Sequence, residues 1–81
     1  MRRERVKSSV IREVGYDAKN RVLEVEFHSG RIYHYLDVTR RDYDAMLSAD
    51  SVGKYFNQVI KTKYRGVLKR RDEFGEWAAR T

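Results

Sequence analysis

The chain has no cysteine and no proline, and none of its apolar runs approaches the ~20 residues needed to span a bilayer. Without cysteine there can be no disulfide, no thiolate metal site and no cysteine nucleophile. An intracellular location fits that composition. Residues 1–10 are charged and lack an apolar stretch, so no secretory signal is expected there and the cytoplasm is the expected compartment. A Gly-rich phosphate loop and the spacings of zinc, calcium and P-loop motifs are missing too, so no cofactor, no bound metal and no membrane contact are expected.

What remains is 81 residues, enough for one domain and too few for two cores. At 41% hydrophobic residues a packed interior is affordable only if most large side chains enter it. The net charge of +6 is unevenly placed: residues 1–7 carry +3, residues 8–60 carry −1, residues 61–71 carry +6 and residues 72–81 carry −2. Lys61, Lys63, Arg65, Lys69, Arg70 and Arg71 follow one another without an acid. A solvated surface mixes its signs, whereas such a run suits a phosphate-facing strip; a solvated helix end or tail is the plainer alternative.

Ser8–Tyr16 reads as a first strand, and Asp17-Ala18-Lys19-Asn20 supplies turn chemistry. Val22–His28 alternates, with Leu23, Val25 and Phe27 on one face and Glu24, Glu26 and His28 on the other. Ser29-Gly30 reads as a two-residue hairpin loop, and Arg31–Leu36 returns as a third strand. That loop length sets Phe27 opposite Ile32, Glu26 opposite Tyr33, Val25 opposite His34 and Glu24 opposite Tyr35. Ile32, His34 and Leu36 then join the apolar face, while Tyr33 and Tyr35 share the other face with the two glutamates.

Thr39 is placed to cap a helix, with Asp42 three residues on and Val38 and Tyr43 at staple positions. Ser48-Ala49-Asp50-Ser51 breaks that helix and offers a second cap. Val52, Tyr55, Phe56, Val59 and Ile60 then form one apolar stripe that Tyr64 extends. Gly53, costly in a first helical turn, implies close packing there. The expected fold is α+β, a three-stranded antiparallel sheet (β-β-β) followed by two α-helices covering one face. Residues 1–7 form a basic N-terminal arm, residues 8–66 the domain and residues 67–81 a C-terminal extension, docked or flexible.

An active site is hard to build from these residues. His28 and His34 fall on opposite faces in the derived register, Ser8 and Ser9 have no base nearby, and Glu24 with Glu26 resembles solvated surface more than an acid/base dyad. No enzyme is expected. Among six tyrosines, Tyr33 and Tyr35 stand out, since two rings beside a basic strip match the way single-stranded nucleic acid is held. Glu24 and Glu26 beside them would repel phosphate, and a helix or the tail covering the pair is the competing reading. Phe74 and Trp77 serve either to pin the tail or to anchor a partner.

Ser8-Ser9, Gly15-Tyr16-Asp17, Leu23-Glu24-Val25-Glu26-Phe27, Gly30, Tyr33-His34-Tyr35, Val38, Tyr43, Ser51, Gly53, Phe56-Asn57, Ile60 and Tyr64 occur in an order and spacing that resembles the KTSC domain. This is a short bacterial module, seen alone and at the C-terminus of some lysyl-tRNA synthetases. The resemblance spans about residues 6–65, and where the family often has proline after the valine this chain has Thr39. It implies no established activity, and its attachment to a synthetase suggests a role with RNA by association.

The expected function is a non-enzymatic nucleic-acid-binding module, with RNA or single strands favoured. Lys61, Lys63, Arg65, Lys69, Arg70 and Arg71 would contact phosphates, assisted by Arg2, Arg3, Arg5 and Lys7 if the N-terminal arm lies nearby, and Tyr33 and Tyr35 would stack. The alternative is a protein-interaction module, monomeric or weakly homodimeric, using Tyr33 and Tyr35 or the Trp77 tail.

Overall fold

The computed structural model describes residues 2–69, so Arg70, Arg71, Phe74 and Trp77 lie outside the described residues. Its fold is α+β, with five antiparallel strands in sequential order rather than three. They are β1 (Arg3–Arg5), β2 (Ile11–Asp17), β3 (Val22–Phe27), β4 (Ile32–Tyr35) and β5 (Gly66–Lys69). Between β4 and β5 come α1 (Arg40–Ser48) and a second helix, α2, over 52–63. The two added strands are the sheet's edges. One comes from the basic N-terminal segment and the other from inside the run of positive charge.

The hairpin between β3 and β4 turns on three residues, not two. Gly30 N–H donates to Phe27 carbonyl and Phe27 N–H to Arg31 carbonyl, both at 2.9 Å. Gly30 takes the left-handed conformation (φ 97°) that closes such a loop. The extra loop residue shifts the register by one, so Leu23 faces Tyr35, Glu24 faces His34, Val25 faces Tyr33 and Glu26 faces Ile32. A slip of one residue exchanges faces. Tyr33 and Tyr35 therefore belong to the apolar face, and His34 and Ile32 to the face of the glutamates.

A second irregularity lies in β2, where the pairing shifts between Ile11, opposite Phe27, and Glu13, opposite Glu26. Arg12 is the extra residue of this bulge. It lets Ile11 and Val14 both enter the core, which simple alternation would forbid, and both are 0% exposed. Against them pack Leu23, Val25, Tyr35, Val38, Tyr43, Met46, and the α2 stripe of Val52, Phe56 and Ile60. Both helices thus cover the same face of the sheet.

The caps hold as the sequence predicts. Thr39 Oγ1 accepts from Asp42 N–H at 3.1 Å and Ser51 Oγ from Lys54 N–H at 3.2 Å. Helix α2 widens to π-helical geometry over Phe56–Ile60 while keeping Phe56 and Ile60 buried. At Gly53 a Cβ would meet Ser8 Oγ at 3.0 Å. That hydroxyl is already engaged, accepting from Val10 and Ile11 N–H at 3.1 Å each. Gly53 is thus the point where helix and N-terminal turn come closest.

Helix α1 is locked to the end of α2 through Asp42, whose Oδ2 accepts from the Tyr64 hydroxyl at 2.5 Å and from Lys63 Nζ at 2.9 Å. The Tyr64 bond first, then Lys63, holds the buried Asp42 carboxyl below its ordinary pKa. A carboxylate with a depressed folded pKa stabilises fully above its unfolded value and loses that contribution as pH falls through the folded one. Thermal unfolding followed from about pH 5 to about pH 2 should show this loss. Asp42→Asn should be less stable at neutral pH and fall less steeply over that window; parallel curves would exclude Asp42 as the source.

The opposite face of the sheet is charged. Arg3, paired with Gly15 in the ladder, reaches across β2 to β3. Its guanidinium binds Glu13 at 3.1 Å and Glu26 at 2.5 Å, and also pairs with Glu24. His34 Nε2 lies 2.8 Å from Glu24 Oε1. Burial opposes the Arg3 charge, but the hydrogen bonds to Glu13 and Glu26 outweigh it and raise the guanidinium above its ordinary pKa.

Candidate nucleic-acid interface

Acids are absent from residues 5–12, 27–36 and 51–71 of the sequence. The antiparallel ladder brings the ends of these stretches together. Arg5 is opposite Glu13, Ile11 opposite Phe27, and Ile32 opposite Lys69. All of these stand at the end of the sheet that carries the β3–β4 hairpin. Val6 N–H bonds to Arg12 carbonyl at 3.2 Å, which keeps Lys7 beside the bulge.

Arg5, Lys7, Arg12 and Arg31 are exposed at this end, and Lys69 is half-buried. Four inter-strand gaps of roughly 4.8 Å put β1 about 19 Å from β5. The cations thus span the width of the sheet. Two are loosely countered, Arg5 by Glu13 at 3.8 Å and Arg12 by Glu26 at 3.9 Å, with the arginine side chains 84% and 46% exposed. Exposed pairs of this kind contribute about 0–1 kcal/mol, so a phosphate can replace the carboxylate at small cost.

At the same end, on the face of Tyr33, lies an open depression of about 350 Å³ lined by Ser9, Val10, Phe27, His28, Ser29, Arg31 and Tyr33, with Arg31 as its one cation. The Phe27 and Tyr33 rings meet edge to face, centroids 5.9 Å apart.

The described part of the basic run, Lys61 to Lys69, is not one surface. Lys61, Lys63 and Arg65 stand at the other end of the sheet, where Arg65 carbonyl accepts from Leu36 N–H at 3.0 Å. Lys63 is engaged with Asp42. Four residue steps along β5, about 13 Å of strand, separate Arg65 from Lys69. Arg70 and Arg71 follow Lys69 in sequence, outside the described residues.

The tyrosines also part company. Tyr35 is 5% exposed and packs against Phe56, so it presents no open ring face, and burial raises its hydroxyl pKa. Tyr33, half-buried, reaches the depression. Glu24 and Glu26 sit on the opposite face from both, so the tyrosines are clear of them, while Arg5 and Lys69 share the face of Glu13 and Glu26. His34 stands on the face of the glutamates and not among the apolar residues. Among the described residues no three metal-ligating side chains gather, and no helix is long and apolar enough to cross a membrane.

Arg12 and Arg31 are the residues that sequence reasoning passed over. Each is a lone cation in the sequence, Arg12 between Ile11 and Glu13 and Arg31 between Gly30 and Ile32. The signal was in the gaps between acids, which acquire meaning only once the strands are paired.

The sequence profile of the KTSC domain matches residues 7–64, most of the chain. The protein belongs to the KTSC family. An uncharacterised protein of Stutzerimonas stutzeri is 45% identical over 64 residues, covering 79% of this chain and 90% of that one. The crystal structure of a KTSC domain protein from Yersinia pestis superposes with a TM-score of 0.77 at 41% identity, covering 83% of this chain and 94% of that one. A lysine–tRNA ligase of Nostoc punctiforme is 37% identical over 57 residues, 70% of this chain but 10% of the ligase, and the match falls in the ligase's C-terminal region. The KTSC profile stops short of both edge strands. Lys7, Arg12 and Arg31 lie within it, and Arg5 and Lys69 lie outside.

Proposed function

We propose that this KTSC domain is a non-enzymatic module that binds nucleic acid, single-stranded RNA in particular, through the hairpin end of its sheet. The observation that carries the reading is the meeting of three acid-free stretches there, with Arg5, Lys7, Arg12, Arg31 and Lys69 spread across one end of the sheet. Arg70 and Arg71, next in sequence after Lys69, are assigned to the same role by their charge alone. Lys61, Lys63 and Arg65 form a separate group at the far end. The homologous segment in lysine–tRNA ligases, proteins whose name includes an RNA, agrees with this reading.

Binding through phosphates releases counterions, so affinity falls with salt at about 0.7 per phosphate for a single strand. Four to six contacts predict a log–log slope of about −3 to −4. Fluorescence anisotropy with a labelled single-stranded RNA over a salt series checks it. Replacing Arg12, Arg31 or Lys69 by glutamine should each reduce the slope by about 0.7, while the same change at Lys61 should reduce it less. An absence of binding at low salt would sink the proposal.

A protein-interaction reading has one observation in its favour: β5 is an exposed edge strand whose Leu68 is 50% exposed. Under that reading sedimentation without nucleic acid would reveal a dimer insensitive to salt. Arg65 and Lys69, just before and at the end of β5, oppose the approach of a second copy, which favours the nucleic-acid reading.

A further inference from the structure

We infer that the depression at the hairpin end receives one unpaired base of a single-stranded nucleic acid, a deepening that rests on the phosphate-binding reading above. At about 350 Å³ it lies within the range of small-ligand sites. Its lining brings three apolar side chains, Val10, Phe27 and Tyr33, to one exposed spot, and Val10 is 48% exposed.

Phe27 and Tyr33 stand nearly perpendicular, at 84°, so a planar ring laid on one turns its own edge to the other. Both are held from behind. Phe27 packs edge-on against Phe56 at 5.6 Å, and Tyr33 stacks on Tyr35 at 6.1 Å. Little side-chain freedom is left to lose on binding.

The rim supplies hydrogen-bonding groups of both kinds. His28 Nε2 lies 3.0 Å from the Ser8 carbonyl, which can only accept, so Nε2 carries the hydrogen. Ser9 and Ser29 bring hydroxyls, and Arg31 brings a planar donor suited to phosphate or to a base edge. No carboxylate lines the depression among the described residues. A stacking corner with Arg31 in its lining and no carboxylate fits a base that arrives on a phosphate chain.

The test compares a short oligouridylate with an abasic oligomer of the same length and charge, each titrated against the full chain at low salt. The base-bearing oligomer is expected to bind at least about fivefold tighter. Val10→Glu, at an exposed position that leaves the core untouched, and Tyr33→Leu should each bring it down towards the abasic level. A melting curve checks that each variant stays folded. An oligothymidylate arm separates RNA from DNA, and base-dependent binding sensitive to Val10→Glu in either arm supports the site. Equal affinity for base-bearing and abasic oligomers would overturn the base site and leave the phosphate reading standing. Base-dependent binding that ignores both variants would overturn its placement. Failure of both oligomers to bind would remove the phosphate reading itself.

Discussion

Replacing Arg3 by alanine is expected to destabilise the domain by about 2–3 kcal/mol. The guanidinium links Glu13 on β2 with Glu24 and Glu26 on β3, so a single side chain ties β1 to two further strands. Glu24 is 6% exposed, and removing a buried partner leaves its charge poorly compensated. Breaking a buried pair from one side costs about 3–5 kcal/mol, and the smaller figure here allows for the 21% of the Arg3 side chain that still meets solvent. The three carboxylates also repel one another once the cation is gone, since Glu13 and Glu26 are direct cross-strand partners.

Urea unfolding of the variant measures the loss. Arg3→Lys should recover only part of the stability, because an ammonium cannot engage three carboxylates as a planar fork does. Adding Glu24→Gln to Arg3→Ala should return part of it as a favourable coupling energy. A loss below about 0.5 kcal/mol would mean that the cluster is an ordinary surface pair. The same change reaches the binding surface. With β1 loosened, Arg5 and Lys7 are no longer held at the hairpin end, and the salt slope of RNA binding should become shallower.

Much of this fold can be read from local sequence, because the signals in question are local. The caps at Thr39 and Ser51 are satisfied within three residues, and the stripe of Val52, Phe56 and Ile60 needs only helical spacing. The three central strands alternate or carry β-branched residues.

What escapes is what depends on distant partners. Arg3-Glu4-Arg5 has no apolar alternation, and its pairing with β2 becomes visible only when the carboxylates beneath Arg3 are known to share a face. Gly66-Val67-Leu68-Lys69 is too short to announce a strand. The hairpin turned on one residue: Gly30 with positive φ closes a two-residue or a three-residue loop equally well. Choosing the shorter one moved Tyr33 and Tyr35 to the wrong face. The candidate interface has the same origin. Its cations come from β1, a bulge, a turn and β5, and only the strand pairing makes them neighbours.

Gly66→Ala is expected to destabilise the domain by about 1–3 kcal/mol, against the usual sign of that substitution. In a strand, alanine ordinarily gains roughly 0.5–1 kcal/mol over glycine because the unfolded chain has less freedom to lose. Gly66 does not need a positive φ, so backbone conformation does not forbid a side chain. The obstacle is Tyr35, its ladder partner on β4. A Cβ at Gly66 would stand 2.5 Å from Tyr35 Cε1 and 2.9 Å from Cζ. The ring has little room to yield, since Phe56 meets it edge-on at 5.3 Å and Tyr33 stacks at 6.1 Å.

Glycine is therefore what allows β5 to pair with β4 beneath an aromatic core residue. The distinguishing measurement is the same substitution made in a Tyr35→Leu background, where the clash is relieved and the ordinary sign should return. Circular dichroism melts of the four proteins give the cycle. If Gly66→Ala stabilises the native background, Tyr35 does not hold the position claimed for it. If it destabilises, anisotropy with RNA should also record weaker binding, because Lys69 reaches the hairpin end only through β5.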